Sequence, residues 1–351
     1  MERNQSASLD ILKIIAAFTV VALHVASRYI MDSPIDTLNF KAANFYDSIN
    51  RYGVPVFVMI SGVLFLNTDK ENDVKRLWLH SILRIAVIYV VWNYIYYAYQ
   101  SIFIWNFDFL HQGAVRTVTG IAYASDHLWY LGMLVGLYAL SPVVKSYLKH
   151  ASKQNVEYFL FLFLVFEVLI QTMSIILNSS LVNKLAGTFT VAELTGYMGY
   201  FVLGWYLAKH GLPKYLKITV YISLPVDIAL NYMISMKLTE RAGSYDAGVY
   251  DCFGLFTFLE AVAIFVFVFD ITKKKKFSRR AVGILRNISK DTLGIYLMHM
   301  LPVDWLYRNG YFVKFLPSII WVLPLSLAIY IACLAVSALL RRIPYVGRYV
   351  C

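Results

Sequence analysis

The sequence has few charged residues for its length. Only 15% of the 351 residues are Asp, Glu, Lys or Arg, whereas 59% are hydrophobic, and the mean hydropathy is +0.60. No polar stretch between the apolar runs is long enough to build a core of its own. This composition argues against a soluble enzyme and predicts an all-α polytopic membrane protein, with residues 1–351 forming one membrane domain and no separate soluble domain.

Cysteine is also scarce. The three cysteines, Cys252, Cys333 and Cys351, are an odd number without the spacing of metal ligands. This pattern indicates neither a disulfide framework nor a metal site. Further acids lie in or beside the apolar runs, among them Asp227 and Glu260, and we expect them to pair internally with basic side chains.

Apolar runs of about 20 residues recur along the whole chain, which is the length that a helix needs to cross a bilayer. The first run lacks a small-residue cleavage site and is too long for a signal peptide, so we expect it to be retained. We therefore predict about ten transmembrane helices, at residues 9–30, 46–67, 82–104, 127–147, 157–177, 192–209, 216–235, 250–270, 290–308 and 317–340.

The basic residues predict the orientation. Ten spans put both termini on one side, and assigning that side to the cytoplasm places most of the 32 Lys and Arg residues in inner loops. We therefore expect cytoplasmic termini in a multi-pass protein of the cell membrane, inner or plasma. The net charge of +11 includes the run KKKKFSRR at Lys273–Arg280, which joins two spans and is expected to contact anionic membrane lipids. No nucleic-acid partner is expected.

The first span, LDILKIIAAFTVVALHVASRYI, places Lys13 and His24 inside an otherwise apolar helix. At about 100° and 1.5 Å per residue, the two side chains fall within about 20° on one face, about 16 Å apart along the axis. Ionisable groups within a span usually face the protein interior or an aqueous cavity. This face of the helix therefore predicts a functional site, although His24 satisfied by a neighbouring carbonyl, or Lys13 paired with Asp10, are the structural alternatives.

The Lys13-x10-His24 pair resembles the Arg/Lys-x10-His signature of the acyltransferase-3 family of integral membrane acyltransferases. Five further segments are similar to family segments in matching order. They are PVFVMISGVLFL at 55–66, RLWLHSILRIAVIY at 76–89, HLWYLGMLVGLYALSP at 127–142, GYFVLGWYL at 199–207 and ISKDTLGIYLMH at 288–299. The resemblance covers nearly the whole chain and implies a single acyltransferase-3-like membrane domain.

The resemblance implies transfer of an acyl group, in our expectation acetyl, from cytoplasmic acyl-CoA to a hydroxyl of an extracytoplasmic or lipid-linked glycan, without a metal. We expect His24 to be catalytic, either as the general base or as a transiently acylated nucleophile. The expected acyl-CoA-binding residues are Lys13, Arg76, Arg84 and Ser61. The expected acceptor-binding residues are Arg51, His127, Trp129 and His299.

Several of these residues have an alternative role. Ser61 with Gly62 suits close helix packing, Arg84 suits an interface anchor, and Trp129 suits an aromatic belt. The chain also departs from the family pattern in carrying Lys13 where Arg is more common, and we expect it to have no SGNH hydrolase-like domain of the kind that many members carry. The alternative function is a membrane transporter or flippase for a polysaccharide or its precursor, although the expected symmetry between two halves is not evident.

Overall fold

The computed structural model describes residues 3–67, 73–104, 120, 124–189, 192–275, 277–311, 315–344 and 347. Every regular element within these ranges is helical, which confirms the predicted all-α fold class. The α-helices are α1 (Arg3–Asp32), α2 (Leu38–Ser48), α3 (Gly53–Phe65), α4 (Val74–Arg76), α5 (Leu83–Phe103), α6 (Trp129–His150), α7 (Lys153–Phe163), α8 (Ile170–Leu177), α9 (Ser180–Phe189), α10 (Ala192–His210), α11 (Lys214–Ala242), α12 (Leu255–Lys274), α13 (Arg279–Lys290), α14 (Thr292–Met298), α15 (Met300–Arg308) and α16 (Ser318–Leu340).

Two π-helical turns interrupt the longer helices. Leu77–Ile82 joins α4 to α5, and Leu164–Leu169 joins α7 to α8. Their wider i→i+5 turns change which side chains share a face of the helix. Residues before and after such a turn therefore do not follow the spacing expected for a continuous α-helix.

Helix α1 lies at the centre of the bundle. It contacts α2, α3, α12, α13, α14, α15 and α16. Four small side chains spread along it are buried, which lets the neighbouring helices approach closely: Ala16, Ala17, Ala22 and Ala26. The predicted site face of α1 is thus turned toward other helices.

Helices α3 and α10 pack with their backbones in close approach. A Cβ atom at Gly62 would overlap the carbonyl oxygen of Phe201, and one at Gly204 would overlap that of Met59. Only glycine fits at both positions, so the small residues of the PVFVMISG segment act in helix packing. This contact fixes α3, and with it one wall of the site described below.

Seven helical stretches in the described part of the chain are long and apolar enough to cross a membrane: Asn4–Asp32, Leu38–Phe65, Asp126–His150, Lys153–Leu177, Lys214–Ala242, Gly248–Lys274 and Ser318–Leu340. Each coincides with a predicted span, so the protein is a multi-pass membrane protein.

The other three predicted spans are also helical, but they are not both long and apolar enough to meet the criterion for crossing a membrane, for different reasons. Helices α5 and α10 are rich in Tyr and Trp, which lowers their hydropathy. The ninth predicted span, 290–308, begins at the last residue of α13 and is divided into α14, of 7 residues, and α15, of 9 residues. The number ten and the cytoplasmic termini stay predictions.

The breaks in that last segment occur at Asp291 and His299. Asp291 is buried and accepts hydrogen bonds from Ser337 (3.1 Å) and Arg341 (3.0 Å) of the α16 end. These hydrogen bonds tie the N-terminal end of α14 to the C-terminal end of α16. The second break, at His299, lies at the centre of the candidate site.

Candidate active site

Three histidines from three separate helical segments form one cluster, in which His127 and His299 are buried and His24 is half-buried. The ring centre of His24 lies 5.1 Å from that of His299 and 6.2 Å from that of His127, and His127 and His299 are 5.2 Å apart. His24 lies on α1, His127 on the short helix that leads into α6, and His299 between α14 and α15. The fold therefore brings together the predicted catalytic histidine and two predicted acceptor-binding histidines.

A hydrogen bond sets the tautomer of the His299 ring. Nδ1 of His299 lies 2.7 Å from the carbonyl oxygen of Tyr296, which can only accept, so Nδ1 carries the proton in the neutral ring. Nε2 of His299 is then a lone-pair acceptor, and it is buried without a hydrogen-bond partner. Nδ1 of His127 contacts the Ser125 hydroxyl at 2.6 Å, and its Nε2 is likewise buried and unpartnered. The Nε2 atoms of His127 and His299 are therefore available for proton transfer.

A layer of tyrosines encloses the imidazoles. The Tyr96 ring meets His127 edge-on at 5.0 Å, and Tyr296 lies 5.7 Å from the same ring. The Tyr296 hydroxyl donates to the carbonyl oxygen of His127, and its ring contacts that of Tyr130 at 5.4 Å. These contacts hold His127 in place and make a thin aromatic layer beside the cluster.

One cavity, of about 350 Å³, lies on the His24 side of this layer. His24, His127 and Tyr96 line it together with polar groups of α5 and of the segment before α6. An ion-pair network borders it, in which Asp304 accepts from Arg28 at 3.2 Å and from Arg308 at 2.6 Å. Arg28 follows His24 by one helical turn, so α1 contributes both groups to the same cavity. We call this the outer cavity, after the predicted orientation.

A second cavity, of about 330 Å³, lies on the opposite side of the tyrosine layer and is lined by both Tyr130 and Tyr296. Its basic lining consists of Lys13, His80, Arg84 and Lys290. Ser61 also lines it, and its hydroxyl interacts with the hydroxyls of Tyr130 and Tyr138. We call this the inner cavity. It concentrates positive charge at the Lys13 end of α1.

Three of the residues predicted for the site lie elsewhere. Arg76 is exposed on α4, about two helical turns before Arg84, and it does not line the inner cavity. Arg51 forms an ion pair with Asp47 and stacks over the Tyr250 ring at 4.7 Å. Trp129 is 44% exposed and packs against Tyr197 at the protein surface. Their predicted binding roles remain predictions.

Sequence reasoning missed several groups that line or border the two cavities: Arg28, His80, Tyr96, Asp304, Tyr296 and Lys290. Helical spacing offered a signal for Arg28, which is i+4 from His24, and for His80, which is i−4 from Arg84. Nothing local marks Asp304 or Tyr96, because their partners lie on other helices. In the described part of the chain, no group of three His, Cys, Asp or Glu side chains is arranged to hold a metal ion.

The apolar helices and the buried imidazole cluster define an all-α multi-pass membrane protein with an enclosed polar site. Comparison with protein families gives its class. A family model described as an acyltransferase domain, of the acyltransferase-3 type, matches residues 6–342, and the chain belongs to that family. The comparisons with curated proteins and with solved structures found no match. The resemblance seen in the sequence is therefore confirmed, and the protein is a membrane acyltransferase.

Proposed function

We propose that the protein transfers an acyl group, acetyl in the simplest case, from cytoplasmic acyl-CoA to a hydroxyl of an extracytoplasmic or lipid-linked glycan at the cell membrane. The observation that carries this proposal is the placement of the His24 cluster between two cavities, one lined by Lys13 and other basic groups and the other open to His24. A phosphate-bearing donor suits the basic inner cavity, and a hydroxylated acceptor suits the polar outer one.

Lys13 and Arg84 bind the phosphates of the donor in this proposal, and Ser61 lies along the route of the pantetheine arm. The arm has to cover the spacing between Lys13 and His24, which is about 16 Å for eleven residues of α-helix. The thioester then reaches the imidazole cluster through the layer formed by Tyr130 and Tyr296. The donor stays on the inner side while its acyl group reaches the outer cavity.

His24 acts as the general base. Its ring nitrogen takes the proton of the acceptor hydroxyl as the oxygen attacks the thioester carbonyl, so that a C–O bond forms and the C–S bond breaks. The proton then passes to the departing CoA thiolate. Nε2 of His299, an unpartnered acceptor on the adjoining ring, helps to hold the proton between these two steps. An acylated His24 is the alternative form of the same reaction.

The direct test is CoA release by the purified protein in nanodiscs supplied with acetyl-CoA, followed with a thiol reagent. We expect slow release of free CoA even without an acceptor, because water reaches the outer cavity. Absence of both acetyl-CoA binding and CoA release would refute the donor assignment. Vesicle uptake of a lipid-linked glycan without any CoA requirement would instead support the transporter alternative.

Lys13→Ala is expected to raise the KM for acetyl-CoA by about 10-fold or more while changing kcat less, because a charged hydrogen bond to phosphate contributes about 1.5–3 kcal/mol. Lys13→Arg should keep the low KM, since Arg also binds phosphate. The matched control is Lys149→Ala, which removes an exposed lysine of α6. Equal KM values for wild type and Lys13→Ala would contradict phosphate binding at the inner cavity.

A further inference from the structure

Helix α11 carries a line of polar side chains at every fourth position, on an otherwise apolar span: Ser223, Asp227, Asn231, Ser235 and Thr239. Residues four apart share one face of a helix, and this face packs against α2 and α12. The remaining faces expose large apolar side chains to the surroundings of the bundle. The polar line is therefore the one buried face of a peripheral transmembrane helix.

The polar side chains toward the C-terminal end of this line have hydrogen-bond partners. Ser235 Oγ lies 3.2 Å from the carbonyl oxygen of Asp246 and also contacts the Asn44 side chain, while Thr239 Oγ1 accepts from the Asp246 backbone N–H. Such bonds hold transmembrane helices together. They explain Ser235 and Thr239 as structural residues.

The middle of the line is different, because its oxygens lack partners. Asn231 of α11 meets Glu260 of α12, and its Nδ2 donates to Glu260 Oε1 at 3.4 Å. Asp227 lies one helical turn before Asn231 on α11, and Thr257 lies three residues before Glu260 on α12. One oxygen of each of the four side chains is buried without a hydrogen-bond partner: Asp227 Oδ2, Asn231 Oδ1, Thr257 Oγ1 and Glu260 Oε2. All four residues are at most 4% exposed. Unpartnered buried oxygens are costly, so four of them on two contacting helices require a physical reason.

The two acids were expected to pair with basic side chains, and in the described part of the chain they do not. Arg51, whose charge reaches Glu260, is itself held by Asp47 and Tyr245. Lys217 on α11 pairs with Asp270 at 2.7 Å. Both acids lie near the middle of their spans, where an uncompensated carboxylate is most expensive. Within the described residues neither acid is paired with a basic side chain, and a bound cation would supply that charge.

We propose that Asp227, Asn231, Thr257 and Glu260 form a binding site for a monovalent cation of the sodium type. Hard cations are bound by carboxylate, amide and hydroxyl oxygens, which are the unpartnered atoms here. The i, i+4 pair on α11 and the i, i+3 pair on α12 present these oxygens from two facing helices. The bound cation links α11 to α12 and compensates the buried acids. This site lies outside both cavities and is independent of the acyl-transfer proposal.

The test is thermal unfolding of the purified protein in nanodiscs, with NaCl replaced by choline chloride at constant ionic strength. Wild type is expected to gain on the order of 5 °C in Tm as Na⁺ saturates the site. Glu260→Gln and Asp227→Asn should lose this dependence on Na⁺. The matched control is Asp270→Asn, which removes a carboxylate of α12 that already has a cation partner, and it should keep the shift.

Direct binding keeps the proposal testable if the variants do not fold. Wild type should bind ²²Na⁺ saturably, and unlabelled Na⁺ should displace it while choline does not. Absence of saturable ²²Na⁺ binding, or a Tm of wild type that does not change with Na⁺, overturns the proposal. A Tm shift produced by Ca²⁺ alone, or one that persists in both variants, overturns it as well.

Discussion

His24→Ala is expected to lower the rate of CoA release from acetyl-CoA by about 10²–10⁴-fold, the range that a positioned general base contributes. His24 is the imidazole that lines the outer cavity from α1, and its ring centre lies within 6.2 Å of both other histidines. We expect neither His127 nor His299 to replace it, because His299 does not line the outer cavity and both rings are held in place by the contacts of their Nδ1 atoms. The KM for acetyl-CoA should change little, since the phosphates bind at the other end of α1.

The matched control for this variant is His150→Ala, which removes an exposed histidine at the end of α6. It should retain the rate of wild type. The rates are compared at saturating acetyl-CoA on protein of equal thermal stability, so that loss of folding is not mistaken for loss of chemistry. An unimpaired His24→Ala enzyme would rule out both the general-base and the acyl-histidine mechanisms.

Gly62→Val is expected to lower Tm by on the order of 10 °C, or to prevent folding. The added side chain would collide with the backbone of Phe201, which cannot move as a flexible side chain would. Overpacking of this kind costs about 1–3 kcal/mol or more. Because α3 carries Ser61 and other walls of the inner cavity, a folded variant should also show a raised KM for acetyl-CoA.

The control for the helix contact is Gly136→Val on α6, where an added Cβ meets no atom within 4 Å. Its Tm should stay within a few degrees of wild type. Tm is followed by intrinsic fluorescence of the tryptophans. If both glycine variants lose the same amount of Tm, the α3–α10 contact does not require glycine at position 62.

The sequence alone was sufficient to predict the fold class and to place Lys13 and His24 on one face of α1. Apolar runs of span length identify helices whatever their neighbours, and the helical repeat alone places Lys13 and His24 on one face. The family resemblance added His127 and His299 as separate candidates. That the two rings meet His24 depends on packing between distant segments, and on the breaks at Asp291 and His299, which no local pattern specifies.

Other site features depend on local geometry that spacing rules do not capture. Arg76 and Arg84 were both predicted to bind the donor phosphates from the inner-side loop and the span that follows it, and only Arg84 lines the inner cavity. Asp227 and Glu260 were expected to have basic partners because buried charges usually do. Whether a partner lies within reach is a property of the folded bundle.

In the proposed mechanism the donor is bound on the Lys13 side of the protein and the acyl group leaves on the His24 side. Radiolabelled acetyl-CoA supplied to everted and to right-side-out membrane vesicles, with an impermeant thiol reagent to locate free CoA, measures this sidedness. We predict turnover only in everted vesicles, with CoA remaining outside and labelled acetyl product in the lumen. Equal turnover in both vesicle types, or label that stays on the side of CoA, would contradict the account.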